Sequence, residues 1–243
     1  MIDSLFENRR YKYDSLFIAL SVTIMISYST LAHKIIDFNG IKITCSGILF
    51  SFYFLISTTQ TEVYGYREGI KTVWIMVLCQ SLFVMIICIA SQIQPQNNLT
   101  AQNLKSLFGE FWKIMIGTWI SVPFSYFING FIISVLKKLF LGKFFFVRYI
   151  IASVVTQASF LLSAHTISLS SKYSFEKFIV IFITAWSYEV MITIILLPIG
   201  IKLVNKIKKS ELTDVYDWGI SYNPFILQNN RNENDSINTY PFK

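Results

Sequence analysis

Residues 178–201 read FIVIFITAWSYEVMITIILLPIGI, a run in which Glu189 is the only charged residue. A bilayer hydrocarbon core about 30 Å thick is crossed by roughly 20 apolar residues in a helix, so this run is long enough to span a membrane. Its apolar residues are continuous and do not alternate with polar ones, which excludes a half-buried β-strand. Five further runs of comparable length have few or no charges: 15–32, 43–60, 72–90, 114–136 and 144–166.

The composition is typical of a chain that lies mostly in lipid. Of the 243 residues, 53% are hydrophobic and 14% are charged, whereas an ordinary soluble domain has about 25% charged residues. Intrinsic disorder of the whole chain is excluded, because disorder requires low hydrophobicity and high charge. The three cysteines are too few, and odd in number, for a secreted disulfide scaffold. The sequence therefore predicts an all-α integral membrane protein, a bundle of six transmembrane helices.

The distribution of basic residues predicts the orientation. Six crossings place both termini on one side, and that side holds 15 of the 21 lysines and arginines. The positive-inside rule assigns this side to the cytoplasm. The net charge of +7 is then explained by anionic lipid headgroups, and nucleic-acid binding is not expected. The predicted organisation is a cytoplasmic N-terminal segment (1–14), the six-helix domain (15–201), a cytoplasmic C-terminal segment (202–226) and a disordered, asparagine-rich tail (227–243).

The sequence contains no pattern that predicts catalysis or a bound cofactor. Its two histidines, His33 and His165, are far apart and have no acidic residues at metal-ligand spacing beside them. No glycine-rich phosphate loop and no nucleophile motif occurs. We therefore expect no enzyme, no catalytic residue, no metal and no cofactor. A chain without its own ATP site must use a gradient, a partner or simple equilibration.

Glu189 is the only acidic residue in the middle of a predicted span. A charged side chain there costs about 2.5–3.5 kcal/mol on insertion scales. Trp186 and Thr193, at i−3 and i+4, lie on the same helical face. This pattern fits a carboxylate that binds a ligand beside a stacking ring, whereas a structural role would make it a protonated donor to a neighbouring helix. We favour ligand binding, because no lysine or arginine is expected inside a span to neutralise the charge.

Other polar residues within the spans predict a polar interior. Ser153, Gln157 and His165 recur at multiples of four along the fifth span, and Asn129 lies in the fourth. Hydrogen bonds between membrane helices are worth only about 0.6–2 kcal/mol each. A hydrogen bond to a neighbouring helix would explain each of these residues as well as a hydrogen bond to a ligand would.

Two motifs outside the spans carry a family resemblance. EVYGYRE at 62–68 follows the second span, and ELTDVYDWGISYNPF at 211–225 follows the sixth. With AHKII at 32–36, they resemble the queuosine precursor transporter family, also called the vitamin uptake transporter family, over residues 10–226. The resemblance implies an importer of 7-cyano-7-deazaguanine and 7-aminomethyl-7-deazaguanine for tRNA queuosine, in the inner membrane of a bacterium. It also implies a fold similar to the substrate-binding subunits of energy-coupling-factor transporters, without a dedicated ATPase.

Three positions depart from the pattern of this family. Thr58 and Phe160 stand where the family usually has aspartates, and Glu189 stands where it usually has a lysine. Gln157 is the residue type that the family usually has at this position. The resemblance therefore implies a retained transport framework with rearranged site chemistry, and the exact substrate is left open.

A guanine-type base offers two parallel N–H donors, and one carboxylate can accept both in a charge-assisted pair. Glu189 would be this carboxylate, with Trp186 or Tyr188 stacked on the base and Gln157 at its acceptor edge. The full set of residues predicted to bind the substrate is Glu189, Gln157, Trp186, Tyr188, Asn129 and Ser153. The residues predicted to fix helix ends or form a cytoplasmic gate, without touching the ligand, are Glu62, Tyr64, Gly65, Asp214, Asp217, Asn223 and Pro224.

The expected partners are a small purine-like substrate and the lipid bilayer. The leading interpretation is secondary or facilitated import, in which helices rock about a site at mid-membrane. One alternative is the binding subunit of an ATP-driven vitamin-type importer, which a co-purifying ATPase would reveal. Another is a degenerate family member that acts as a membrane interaction protein and shows no ligand-dependent thermal shift. The sequence does not decide the oligomeric state, and a homo-oligomer stays open.

Overall fold

The computed structural model describes residues 11–31, 35–38, 41–93, 99–109, 111–169 and 175–226. The tail from 227 onward and the residues at 32–34 that contributed to the family resemblance lie outside this described part. The elements run, in chain order, α1 (Asp14–Thr30), β1 (Ile35–Phe38), β2 (Ile41–Thr44), α2 (Cys45–Tyr64), α3 (Tyr66–Gln92), α4 (Leu99–Phe108), α5 (Phe111–Leu139), α6 (Phe145–Leu169) and α7 (Phe175–Glu211).

A long helix covers each of the six predicted spans, namely α1, α2, α3, α5, α6 and α7. In the described part of the chain, four of these helices are long and apolar enough to cross a membrane: α3, α5 over Met115–Leu139, α6 over Phe145–Ala164, and α7. Helix α1 is apolar but only 17 residues long. The structure therefore shows a helical, multi-pass membrane protein.

Helix α2 lies at the centre of the bundle. It packs against α1, α3, α5 and α7, and every residue from Tyr53 to Tyr64 is buried. Its C-terminal half is polar, and these side chains bond to other helices: Gln60 Nε2 donates to Asp14 Oδ1 at 3.0 Å and to Thr72 Oγ1 at 2.8 Å. Because protein surrounds α2 on several sides, it can carry polar residues that a lipid-facing helix could not.

Helices α3 and α7 present apolar side chains on the outside of the bundle. Only 28% of the most apolar window of α3 and 17% of that of α7 are buried. Continuous apolar faces of this kind are rare on water-soluble proteins and suit contact with lipid tails. The most exposed apolar side chains on the two helices include Leu82, Met85, Ile86, Ile89, Val180, Met191 and Ile195.

Two short elements that the sequence analysis did not predict lie between the long helices of the all-helical bundle. β1 and β2 form an antiparallel hairpin with Ile36 opposite Ile43, and α4 lies between α3 and α5. A search for long apolar runs does not detect strands of four residues. The sequence nevertheless has a local signal, because Asn39-Gly40 between the strands is a dipeptide favoured in tight hairpin turns.

Candidate functional site

Glu189 is buried in the middle of α7. Its side-chain atom Oε2 has no hydrogen-bond partner among the residues that the structure describes. Ser51 Oγ on α2 and Thr193 Oγ1 donate to its backbone carbonyl at 3.2 and 2.9 Å. The protein thus fixes the backbone at this point and leaves one oxygen of a buried carboxyl group unused.

Gly47 on α2 makes room for this carboxyl group. A Cβ atom at Gly47 would lie 2.8 Å from Glu189 Oε1 and 2.7 Å from Tyr188 Cζ. Both distances are shorter than real Cβ atoms show, so any larger residue would force α2 and α7 apart or displace the two side chains. The absence of a side chain at Gly47 is therefore what lets Glu189 lie between the two helices.

Gln157 connects α6 to the same point. Its Nε2 donates to Thr193 Oγ1 at 2.6 Å, and the Thr193 hydroxyl donates in turn to the Glu189 carbonyl. Gln157 Oε1 is buried and has no partner in the described part of the chain. Two acceptor oxygens on neighbouring helices are therefore free to receive hydrogen bonds from a ligand.

A cluster of aromatic side chains lies beside Glu189. Phe50 on α2 stacks on Phe160 of α6 with ring centroids 4.1 Å apart, and Tyr28 of α1 contacts both rings. Tyr28 and Tyr126 lie within electrostatic range of Glu189. We call Tyr28, Phe50, Tyr53, Tyr126 and Phe160 the aromatic cluster. It provides flat apolar surfaces in the region where Trp186, one helical turn before Glu189, packs against the cluster.

Trp186 and Tyr188, the two residues predicted to stack on a ligand, make other contacts in this structure. Trp186 Nε1 donates to the Val154 carbonyl at 3.1 Å, and its ring stacks on Phe182 with a centroid distance of 6.3 Å. The Tyr188 hydroxyl bonds to Thr44 Oγ1 at 2.9 Å. Tyr188 therefore ties α7 to the end of the hairpin and still lies next to Glu189.

Asn129 and Ser153 are buried and already hydrogen-bonded. Asn129 Nδ2 on α5 donates to Thr58 Oγ1 on α2 at 3.2 Å, which pairs two positions singled out in the sequence. Ser153 Oγ donates to the Ile150 carbonyl of its own helix at 2.9 Å. The structure thus brings Glu189 and Gln157 together with free oxygens and gives Asn129 and Ser153 protein partners.

The sequence analysis did not single out the tyrosines of the aromatic cluster. A signal was available, because Tyr53 and Tyr126 lie near the middle of predicted spans, whereas membrane tyrosines are enriched at the two interfaces. Which helices they face depends on the packing of the bundle, and the sequence alone does not give that packing.

A second buried cluster lies at the other end of α2 and consists of charged groups. Arg148 Nη2 donates to Glu62 Oε1 at 3.0 Å, and Arg148 Nη1 donates to Glu62 Oε2. Lys208 Nζ lies 2.7 Å from both Glu62 Oε1 and Asp214 Oδ1. Lys137 pairs with Asp214 and donates to the Glu62 carbonyl. These five residues, the charge cluster, join α2, α5, α6, α7 and the segment after α7.

The charge cluster corrects the expectation that no lysine or arginine lies inside a span, because Arg148 falls within the run 144–166 and is buried. Arg148 and Lys137 are among the 15 basic residues that the sequence analysis counted on the cytoplasmic side and expected to face lipid headgroups, but they are 0% and 2% exposed and paired with carboxylates. Glu62 lies beyond the predicted end of the second span. Burial would raise the pKa of Glu62, but Lys137, Lys208 and Arg148 outweigh this and lower it to about 2.

The segment after α7 packs on the turn between α2 and α3. The Asp217 carboxylate accepts two hydrogen bonds from the Tyr66 backbone N–H, at 3.0 and 3.2 Å, and so caps the N-terminus of α3. Val215 N–H donates to the Val63 carbonyl at 3.1 Å. Gly65 between the helices has φ +87°, and a Cβ there would lie 2.7 Å from Asp217 Oδ1, so both the backbone and the space require glycine.

The remaining motif residues make contacts in the same region. The Tyr64 hydroxyl donates to Glu211 Oε1. The Pro224 carbonyl accepts from Trp74 Nε1 at 2.9 Å, and Asn223 Oδ1 accepts from the backbone N–H two residues further on, at 3.0 Å. The EVYG turn and the C-terminal motif thus form one contact region, away from Glu189 along α2.

The long helices with apolar outer faces define a multi-pass membrane protein with buried, partly unpaired polar groups in its interior. Residues 44–203, about two thirds of the chain, match the family described as "Putative vitamin uptake transporter". The chain belongs to this vitamin uptake transporter family, which confirms the resemblance found in the sequence. No curated protein and no solved structure matches the chain. The family implies a small-molecule substrate and a site in the lipid bilayer.

Proposed function

We propose that the protein imports 7-deazaguanine bases, the precursors of the tRNA nucleoside queuosine, across the inner membrane of a bacterium. The observation that carries the proposal is the buried, unpartnered Oε2 of Glu189, on a residue whose backbone carbonyl bonds to Ser51, the chain neighbour of Phe50 in the aromatic cluster. A carboxylate can accept two parallel N–H bonds from a guanine-type edge, and aromatic rings favour offset stacking on a flat heterocycle. Membership in a transporter family supports movement of such a ligand rather than its chemical conversion.

The other polar residues of the interior fit secondary roles in this proposal. Gln157 Oε1 supplies a second free acceptor, and Phe160, stacked on Phe50, supplies a ring surface where the family resemblance implied an acid. Asn129 and Ser153 would reach a ligand by exchanging their present bonds. The proposed substrate-binding set keeps all of its members: Glu189, Gln157, Trp186, Tyr188, Asn129 and Ser153.

In the proposed arrangement, all six long helices cross the membrane and surround the transport path. Both termini then lie in the cytoplasm. Helix α1 has 17 residues and is about 26 Å long, close to the thickness of the bilayer core. Helix α2 is surrounded by other helices, so its polar half need not face lipid. Import would then follow from helices rocking about a site at mid-membrane, and the charge cluster would lie at the cytoplasmic end.

The decisive experiment is rescue of a bacterial strain that cannot make queuosine. The strain expresses the protein and receives either 7-cyano-7-deazaguanine or 7-aminomethyl-7-deazaguanine at low concentration, and queuosine in tRNA is measured by mass spectrometry. We expect queuosine to appear with the wild-type protein and to stay at background with the empty vector. If the vector and the membrane-inserted wild-type protein give the same amount for both bases, the proposed function is wrong.

The same assay tests the role of Glu189. Glu189→Gln keeps the shape of the side chain but replaces an acceptor oxygen by an NH₂ donor, which would face the N–H donors of the ligand. Because hydrogen bonds to charged groups are worth about 1.5–3 kcal/mol, we expect uptake at limiting substrate to fall by about tenfold or more. Glu176→Gln, an exposed acid on the same helix, is the matched control and should leave uptake unchanged. Equal uptake by both variants and the wild type would refute the role of Glu189.

A further inference from the structure

Two tyrosines of the aromatic cluster carry hydroxyl groups that the protein does not use. Tyr53 on α2 and Tyr126 on α5 pack edge to face, with ring centroids 4.4 Å apart. Each residue is 1% exposed, and neither hydroxyl has a hydrogen-bond partner among the described residues. Most buried polar side-chain atoms in folded proteins have a partner. Two neighbouring hydroxyls of this kind in the interior of a bundle are candidate donors to a bound ligand.

The two tyrosine hydroxyl groups can donate hydrogen bonds to a ligand. In the ionised form that the proposed pair with the substrate requires, the Glu189 carboxylate only accepts hydrogen bonds, whereas a tyrosine hydroxyl can donate one. Tyr53 and Tyr126 belong to one buried cluster against which Trp186, three residues before Glu189 on α7, is packed. Tyr126 also lies within electrostatic range of Glu189, so donor and acceptor groups lie in the same region of the interior. A ligand that fits both must present N–H donors next to an oxygen acceptor, which is the arrangement in a cyclic amide.

We propose that the hydroxyls of Tyr53 and Tyr126 donate hydrogen bonds to the ring carbonyl of the substrate, while Glu189 accepts from the adjacent N–H groups. This inference rests on the proposed function and adds the residues that determine specificity. It makes the site selective for bases with a carbonyl oxygen at this position. A base that keeps both N–H donors but replaces this oxygen by sulfur, a weaker acceptor, should bind less tightly.

The test measures binding of two bases to the full-length protein in lipid nanodiscs by isothermal titration calorimetry. The bases are 7-cyano-7-deazaguanine and its analogue with sulfur in place of the carbonyl oxygen. We expect the wild-type protein to prefer the oxygen base by about tenfold, which corresponds to about 1.4 kcal/mol. Tyr126→Phe and Tyr53→Phe should each bind the oxygen base several-fold more weakly and lose most of this preference.

Tyr149→Phe is the matched control. The Tyr149 hydroxyl is also buried without a partner in the described structure, but its ring packs against Phe54 in a different cluster. This variant should keep the affinity and the preference of the wild type. If Tyr126→Phe does not fold, as judged by its thermal melting without ligand, Tyr53→Phe carries the same test.

The outcomes separate this inference from the proposed function. No binding of either base by the wild-type protein would overturn both. Binding with an oxygen preference that is unchanged in both tyrosine variants would overturn this inference alone, as would an equal loss in Tyr149→Phe. If only one of the two tyrosine variants loses affinity and the oxygen preference, the assignment is supported for that tyrosine and overturned for the other.

Discussion

Glu62 is fully buried, and its carboxylate is held by three cations. Arg148 binds both of its oxygens, and Lys208 and Lys137 lie 2.7 and 3.8 Å from Oε1. Removing charges from water is expensive, so a buried cluster of this kind is stable only when every member is paired. Asp214 supplies the second negative charge. The loss of one carboxylate would leave buried cations without compensation.

We therefore predict that Glu62→Gln lowers the free energy of unfolding by about 3 kcal/mol or more. The wild-type protein should also lose stability in acid. The pKa of Glu62 is lowered from its ordinary value of 4.5 to about 2 in the folded protein. The contribution of ionised Glu62 to the free energy of unfolding is thus complete above pH 4.5 and is lost as the pH falls toward 2. Thermal melting in detergent between pH 2 and pH 7 measures both effects.

Glu68→Gln is the control for this prediction. Glu68 also pairs with a lysine, Lys71 at 3.1 Å, but both side chains are partly exposed at an i,i+3 spacing. Surface pairs of this kind contribute about 0–1 kcal/mol, so the melting temperature should change little. If Glu62→Gln and Glu68→Gln melt alike at pH 7, the charge cluster does not stabilise the bundle.

Individual site residues were predictable only where they break a local pattern. Glu189 is conspicuous because a lone acid interrupts an apolar run. Arg148 and Lys137 lie near the ends of such runs, where basic residues usually face headgroups, so nothing local distinguished them as buried. Glu62 meets Arg148 across 86 positions of chain, and a contact over that distance follows from helix packing alone.

Elements, like residues, were predictable from the sequence only where a local pattern marks them. The six long helices follow from apolar runs because a helix in lipid must satisfy its own backbone hydrogen bonds. The hairpin β1–β2 and helix α4 lie outside those runs, so their structure depends on short local signals and on contacts with neighbours. The central position of α2 was also not evident, since its polar half is compatible with a helix end as well as with a buried helix.

The packing of α2 against α7 yields a prediction at this scale. Gly47→Ala adds a methyl group that would clash with Tyr188 and Glu189. Overpacking typically costs about 1–3 kcal/mol, and here the strain falls on the candidate site. We expect reduced thermal stability together with a loss of 7-cyano-7-deazaguanine binding, measured by melting with and without the base.

Gly200→Ala is the matched control, because it adds the same methyl group to the same pair of helices. A Cβ at Gly200 would meet Leu55 Cδ1 at 2.8 Å, the far end of a flexible side chain that can move away. This variant should lose some stability and keep its ligand-dependent thermal shift. An equal loss of the shift in both variants would show that general loosening of the bundle, and not the clash at Glu189, abolishes binding.

At the scale of the whole molecule, the proposed topology fixes which ends of the helices share a compartment. The loop between α5 and α6 and the segment after α7 contain residues of the charge cluster or contact it. These two segments must therefore lie on one side of the membrane. An odd number of crossings separates each of them from the N-terminal ends of α4 and α7, which six spans therefore place on the opposite side.

Single cysteines introduced into a variant without Cys45, Cys79 and Cys88 test this arrangement. The four substitutions, all at exposed positions, are Gln102→Cys, Lys143→Cys, Glu176→Cys and Ser221→Cys. An impermeant thiol reagent applied to intact cells should label the positions in α4 and at the start of α7. The positions in the α5–α6 loop and after α7 should react only after the membrane is opened, because the positive-inside rule places them in the cytoplasm. Labelling of Lys143→Cys and Glu176→Cys from the same side would mean that α6 does not cross the bilayer, and the six-span arrangement around Glu189 would then be wrong.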